Sequence, residues 1–209
     1  MTAEYRSFLR IVQQRRSIRC FRPQPVPHEC VDMLMEAARW APSAGNQQGF
    51  RFVAVTRSEV LSALADAVRQ EIWRIQALVR DDYRDQAMRY SENFLFFSRA
   101  PLLIVPIHRH GTNLLNIFCD QEVVSEKDAI ANVYCSVSAA IMNLLLAAQT
   151  LGLGACWMTG PLIARAAMER LLDVPAGWAI SALIPVGYPD ESPPAPKRRS
   201  IAQILRHLE

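Results

Sequence analysis

Residues 13–27 read QQRRSIRCFRPQPVP, and within them Arg15, Arg16, Ser17 and Arg19 gather three guanidinium groups and a hydroxyl into five positions. A guanidinium fork donates in pairs to phosphate or carboxylate oxygens, and a serine hydroxyl adds a neutral donor. Where such a segment is extended, alternate residues share one side, so Arg15, Ser17 and Arg19 converge. The chemistry is that of an anion seat. The competing role is a solvated turn whose charge complements a helix C-terminus. Lys197, Arg198 and Arg199 form a second basic group open to the same two readings. The loop APSAGNQQG, residues 41–49, places Pro42, Ser43, Ala44 and Asn46 among amide and hydroxyl donors and acceptors. Such a composition makes either a polar connection or a ligand contact.

These groups are positioned by elements that periodicity and breakers mark out. A helix over about residues 2–14 delivers the arginines, and HECVDMLMEAARWA after Pro27 forms a second, with Val31, Leu34 and Ala38 on one face. RFVAVT, residues 51–56, alternates as a strand. Residues 58–97, opened by Ser58 as N-cap, give one or two helices, and Pro101 precedes the apolar strand LLIVPI. Between Asp128 and Arg165 the chain carries no charge; Gly152 and Gly154 end its helical part, which is read as a central buried helix and not a membrane span. A short strand at ACWM, a helix from about Leu162 to Leu172 and a strand over WAISALIPVGYP follow. Strands alternating with helices indicate α/β or α+β, and no linker divides residues 1–209, so one domain is expected. The tail DESPPAPKRRSIAQILRHLE is a Pro-rich extended arm followed by a short helix.

Composition narrows the function. A hydrophobic share of 51% against 21% charged residues excludes disorder and fibrous classes, and a net charge of +3 is too mild for a nucleic-acid or anionic membrane surface. Five cysteines without a C-x-x-C pair fit a reduced, cytoplasmic setting. The N-terminal residues lack the apolar core of a secretory signal. GLGACW lacks the third glycine of a dinucleotide fingerprint. HRHG, residues 108–111, could join Cys119 or Asp120 around a metal, but histidines at a strand end are ordinarily loop residues, and no metal is expected.

Taken together, RRSIRCFRPQPVP, LMEAARWAPSAGNQQGFRFVAV, LLLAAQTLGLGACWMTGP and ALIPVGYPDESPPAPKRR occur in an order that resembles the nitroreductase family of FMN-dependent oxidoreductases. The resemblance covers nearly the whole chain, with residues 58–127 the least matched. It implies an α+β sandwich, a mainly antiparallel sheet packed with helices, in an intertwined homodimer with two FMN sites at the subunit interface. It implies FMN as cofactor, NADH or NADPH as donor, and a nitroaromatic, quinone or flavin as acceptor. By the same resemblance, Arg15, Arg16 and Ser17 hold the phosphate and ribityl chain, while Lys197 and Arg199 on the arm, residues 189–209, close on the phosphate. Arg19 lies near N1 and O2 of the flavin ring, where a cation eases hydride acceptance. Pro42, Ser43, Ala44 and Asn46 reach the flavin of the partner, and the amides of Thr159 and Gly160 face N5 and O4, with Gly154 helping the turn before them. No side chain need act as nucleophile or general base, since the flavin does the chemistry.

The chain departs from the family where Gln48, Gly49 and Phe50 replace a frequent Gln-Pro-Trp. Met142 stands at a common glutamine, and Thr159 at a glutamate of some members. Trp40, Trp73, Trp157 and Trp178 are read as packing residues, with shaping of the pocket as the alternative for Trp157. Two alternatives accompany the resemblance: the flavin-cleaving branch that makes dimethylbenzimidazole from FMN and oxygen, and a flavin-binding storage or sensor protein without turnover.

Overall fold

Thr2 caps the first helix by accepting from the amide of Tyr5 at 3.2 Å, and α1 runs Ala3–Gln14. The computed structural model describes residues 1–110, 114–121 and 123–208. α2 (His28–Arg39) begins after Pro27, and β1 (Phe50–Val55) follows the polar loop. α3 (Ser58–Gln76) has Arg57 as its cap residue, with no side-chain hydrogen bond; Ser58 instead bonds the neighbouring Glu59 carboxylate, so it is not the N-cap expected from sequence. α4 (Arg84–Glu92) is the second helix of that region and buries no residue. Next come β2 (Leu102–Arg109), α5 (Leu114–Phe118) and α6 (Glu126–Thr150), the last capped by Ser125. β3 (Gly154–Ala155), a 3-10 turn (Gly160–Ala164), α7 (Arg165–Leu171), β4 (Trp178–Ile180) and β5 (Ile184–Gly187) complete the order.

The strands form one sheet in the order β1-β2-β5-β3, with β4 also on β2, and every ladder is antiparallel. The expected antiparallel sheet packed with helices is thus present. β2 is central and apolar on both sides, which is why LLIVPI lacks polar alternation. Leu103, Val105 and Ile107 enter a core with α3 and α7, whereas Leu102 and Ile104 enter a core with α2 and α6. One correction concerns WAISALIPVGYP, which divides into two strands. Ile180 pairs with Ile107 and Ile184 with Ile104, so three residues oppose two, which makes a bulge. It sits opposite Pro106, which has no amide to donate and accepts from Ser181 N at 2.8 Å.

α6 has the length and composition of a membrane span, with mean hydropathy 1.7 over Lys127–Thr150, yet a third of that window is buried within the chain. Val137, Ile141, Leu144 and Ala148 form its buried stripe, and Asn143 Nδ2 donates to Ala37 O at 3.1 Å. Ala140 and Leu145 are buried beside it, Tyr134, Ala139, Met142 and Ala147 are half-buried against the same core, and Ile130 is exposed. In the tail, the expected helix is only a 3-10 turn, Ile201–Gln203. Ile201, Ile204 and Leu205 are exposed, and a short helix with no surface to bury against does not form.

Candidate functional site

After Arg15 turns out of α1, residues 17–22 run along the β3 edge of the sheet. Ser17 bridges Ala155 in parallel, Ile18 N donates to Ala155 O at 3.1 Å, and Arg22 N donates to Tyr188 O at 2.9 Å. Gly154 serves this docking and not a turn: a Cβ there would lie 2.7 Å from Ile18, so only glycine lets the segment approach. Glu191 fastens the far end, its Oε1 accepting from the amides of Arg19 and of Cys20. The Nε atoms of Arg15 and Arg16 are buried without a hydrogen-bond partner among the described residues. Buried donors are almost always paired, so orphaned guanidinium nitrogens on two successive residues fit an anion.

Arg19 shares a cavity of about 340 Å³ with Cys156, Met158, Gly160 and the α4 side residues Asn93 and Phe94. Burial raises the Cys156 thiol above its ordinary value, against the lowering influence of Arg19 and Ser17 beside it. The cavity thus brings together two of the expected blocks, the arginine segment and the Thr159–Gly160 turn. Gly160 opens that turn, and a Cβ on it would meet the Phe94 ring at 2.3 Å. Gly160→Ala is therefore expected to displace Phe94, lower stability by about 1–3 kcal/mol and deform the cavity. An unchanged urea midpoint together with unchanged flavin affinity would contradict this packing. No motif in the sequence marks Asn93, Phe94, Cys156 or Glu191, and only the folded chain joins Phe94 to Gly160. Trp157 is exposed and is absent from the cavity lining.

Pro42, Ser43, Ala44 and Asn46 gather elsewhere. Ala44 N donates to Ser136 Oγ at 3.2 Å, and Gln48 N donates to Ser43 Oγ at 2.9 Å. Gly45, Asn46 and Gln48 have φ of 57°, 52° and 47°. A proline at 49 would push Gln48 out of this region, so Gly49 permits the loop's shape. The loop feeds β1, at the sheet edge opposite β3. From Ser136 to Thr150, just before β3, α6 rises about 21 Å. The loop thus lies by the β1 edge of the sheet, whereas the arginine segment runs along β3 at the other edge. Lys197 and Arg199 are exposed on the extended arm.

A further polar cluster lies at the end of β2. His108 Nδ1 and Ser181 Oγ are 2.7 Å apart, both residues are buried, and the His108 ring lies 4.7 Å from that of Tyr134. Arg165 Nη2 donates to Tyr134 Oη at 3.1 Å. Burial first, then the Arg165 and His110 charges, lowers the His108 pKa to about 4. The unfolded chain binds that proton near pH 6.5, so stability is full above this value and falls as pH drops toward 4. His108→Gln is expected to remove this part of the pH slope; urea midpoints at pH 5 and 7 check it, and an unaltered slope would contradict it. Among the described residues, no three metal-ligating side chains gather, and Gly111 lies outside them.

The nitroreductase family model matches residues 12–188. The 5,6-dimethylbenzimidazole synthase of Rhodospirillum rubrum is 31% identical over 90% of this chain and 84% of that protein. A putative NADH dehydrogenase/NAD(P)H nitroreductase of Methanothermobacter thermautotrophicus is 30% identical over 88% of this chain and 78% of its own length. A BluB-like flavoprotein from Clostridium difficile shares the fold at TM-score 0.85 and 24% identity, covering 96% of this chain and 98% of that one. A putative nitroreductase in complex with FMN from Desulfovibrio desulfuricans has TM-score 0.68 and 25% identity over 97% of this chain and 96% of its own. Sequence blocks, sheet topology and family match agree, and the chain belongs to the nitroreductase family.

Proposed function

We propose that this protein is an FMN-dependent oxidoreductase that takes hydride from NADH or NADPH and delivers it to a nitroaromatic, quinone or flavin acceptor. The observation that carries the reading is the pair of buried Nε atoms of Arg15 and Arg16, unpartnered among the described residues, on the segment whose Arg19 lines the cavity with Gly160. When bound, FMN supplies the two-electron carrier. Arg15, Arg16 and Ser17 bind its phosphate, and Lys197 and Arg199 close over it from the arm. Arg19 provides the cation that stabilises negative charge on the reduced ring. The first amides of a 3-10 turn have no acceptor within the turn, so Thr159 and Gly160 are free to donate to the cofactor.

Pro42, Ser43, Ala44 and Asn46 complete the site of a second copy, in a homodimer with FMN at the interface. The rise of about 21 Å along α6 between that loop and β3 supports this sharing. So do Ile130 exposed on α6, Tyr5 and Phe8 exposed on α1, and the exposed apolar residues of the arm. In steady state, parallel initial-rate lines are expected, because one site serves donor and acceptor in turn; intersecting lines would require a ternary complex.

The likeness to the dimethylbenzimidazole synthase favours a second reading, in which the reduced cofactor reacts with oxygen and is itself cleaved. Mass spectrometry of reduced, FMN-loaded protein after exposure to air separates the two. Dimethylbenzimidazole as product replaces the first reading, whereas intact FMN retains it. A flavin that neither nicotinamide reduces would favour binding without turnover.

A further inference from the structure

A second cavity, of about 250 Å³, lies between α3 and α4 and is lined by Ile72, Ile75, Val79, Ala87 and Ile163, with Gln76 and Ser91 as its polar members. Tyr90 and Phe94 line both this cavity and the one beside Arg19, so the two share a wall. The two rings meet edge to face at 5.1 Å, one helical turn apart. Phe94 is seated against Gly160, whereas Tyr90 is 66% exposed on a helix that buries no residue. The wall is thus fixed at one end and lightly held at the other, the pattern of an element that opens at low free energy.

Size and lining decide the class of occupant. An apolar cavity of about 150 Å³ accepts benzene, so 250 Å³ suits a fused bicyclic ring. An apolar wall with no partner atoms lacks dispersion contacts that such a ring would supply. We propose that the α3–α4 cavity is an acceptor subsite. It takes the apolar ring of a bicyclic aromatic and leaves the reducible substituent directed past Tyr90 and Phe94 toward Gly160, in the cavity that Arg19 also lines. This inference rests on the redox reading above and adds a substrate class to it: fused-ring nitroarenes and quinones over single-ring ones.

The test titrates FMN-loaded, oxidised protein with 1-nitronaphthalene and with nitrobenzene by calorimetry. Wild-type protein is expected to bind the bicyclic compound at least tenfold more tightly. Ala87→Phe and Ile163→Phe fill the cavity from separate elements and are each expected to bring that ratio close to one. Trp73→Ala, on the exposed face of α3, leaves it unchanged. Ile75→Ala enlarges the cavity and moves the preference toward a tricyclic nitroarene, which keeps the test open where a filling variant fails to fold. A ratio that neither filling nor enlargement alters overturns the subsite. Anaerobic reduction by NADH and NADPH is followed in the same samples. Normal reduction with an unaltered ratio overturns the subsite alone, while a collapsed ratio without any flavin reduction overturns the redox reading and leaves a ligand site.

Discussion

Replacing Arg15 and Arg16 together by alanine is expected to lower FMN affinity at least a hundredfold, and the unaltered protein is expected to prefer FMN to riboflavin by a similar factor. Each charge-assisted hydrogen bond contributes about 1.5–3 kcal/mol, and about 1.4 kcal/mol is tenfold in affinity, so two lost contacts reach that size. The effect is large because neither Nε has another partner to retain it. The single variants separate two roles. Arg16 Nη1 also donates to Gln13 O at 2.6 Å and Arg15 O at 2.8 Å, so Arg16→Ala loosens the end of α1 as well. Arg15→Ala is the cleaner probe of the anion. Fluorescence titration measures both ligands, and equal affinity for riboflavin and FMN would remove the phosphate from this seat.

The second large effect is a recovery. A chain carrying Arg15→Ala and Arg199→Ala is expected to be inactive, and so is one carrying Ser43→Ala and Asn46→Ala. The latter pair removes the acceptor for Gln48 N and for the Gln48 side-chain amide, on which the loop's shape depends. Mixed under conditions that exchange subunits, the two chains are expected to form heterodimers as about half of all dimers, each with one intact and one doubly damaged site. About a quarter of full activity is then expected to return, as twofold symmetry would require. Heterodimers as inactive as their parents, or an active monomer, would end the shared-site account.

How much of this could be read from the chain alone varied with the range of the contacts involved. α1, α2, β1 and β2 were legible because capping, proline placement and apolar periodicity are local. The break between β4 and β5 was not, because it depends on Pro106 lying opposite Ser181, which only the strand pairing decides. The terminal helix failed for a related reason: its apolar residues have nothing in this chain to cover them. At the site, Arg15, Arg16, Ser17 and Arg19 announced themselves by residue type and spacing. Asn93, Phe94 and Glu191 did not, since each owes its role to a neighbour far away in sequence: Arg19 and Gly160 across the cavity, and the amides of Arg19 and Cys20 across the sheet edge. His108 was read as a loop residue beside a strand, and its buried bond to Ser181 became visible only with the sheet assembled.

Anaerobic titration of the FMN-loaded protein with NADH and with NADPH, followed by flavin absorption, tests the central claim most directly. FMN is expected to bind without a covalent bond. One equivalent of at least one nicotinamide per site is expected to bleach the oxidised flavin band in full, and a nitroaromatic or quinone added afterwards is expected to restore it. A protein whose spectrum shows no bound flavin after incubation with FMN, or whose flavin neither nicotinamide reduces, would contradict it.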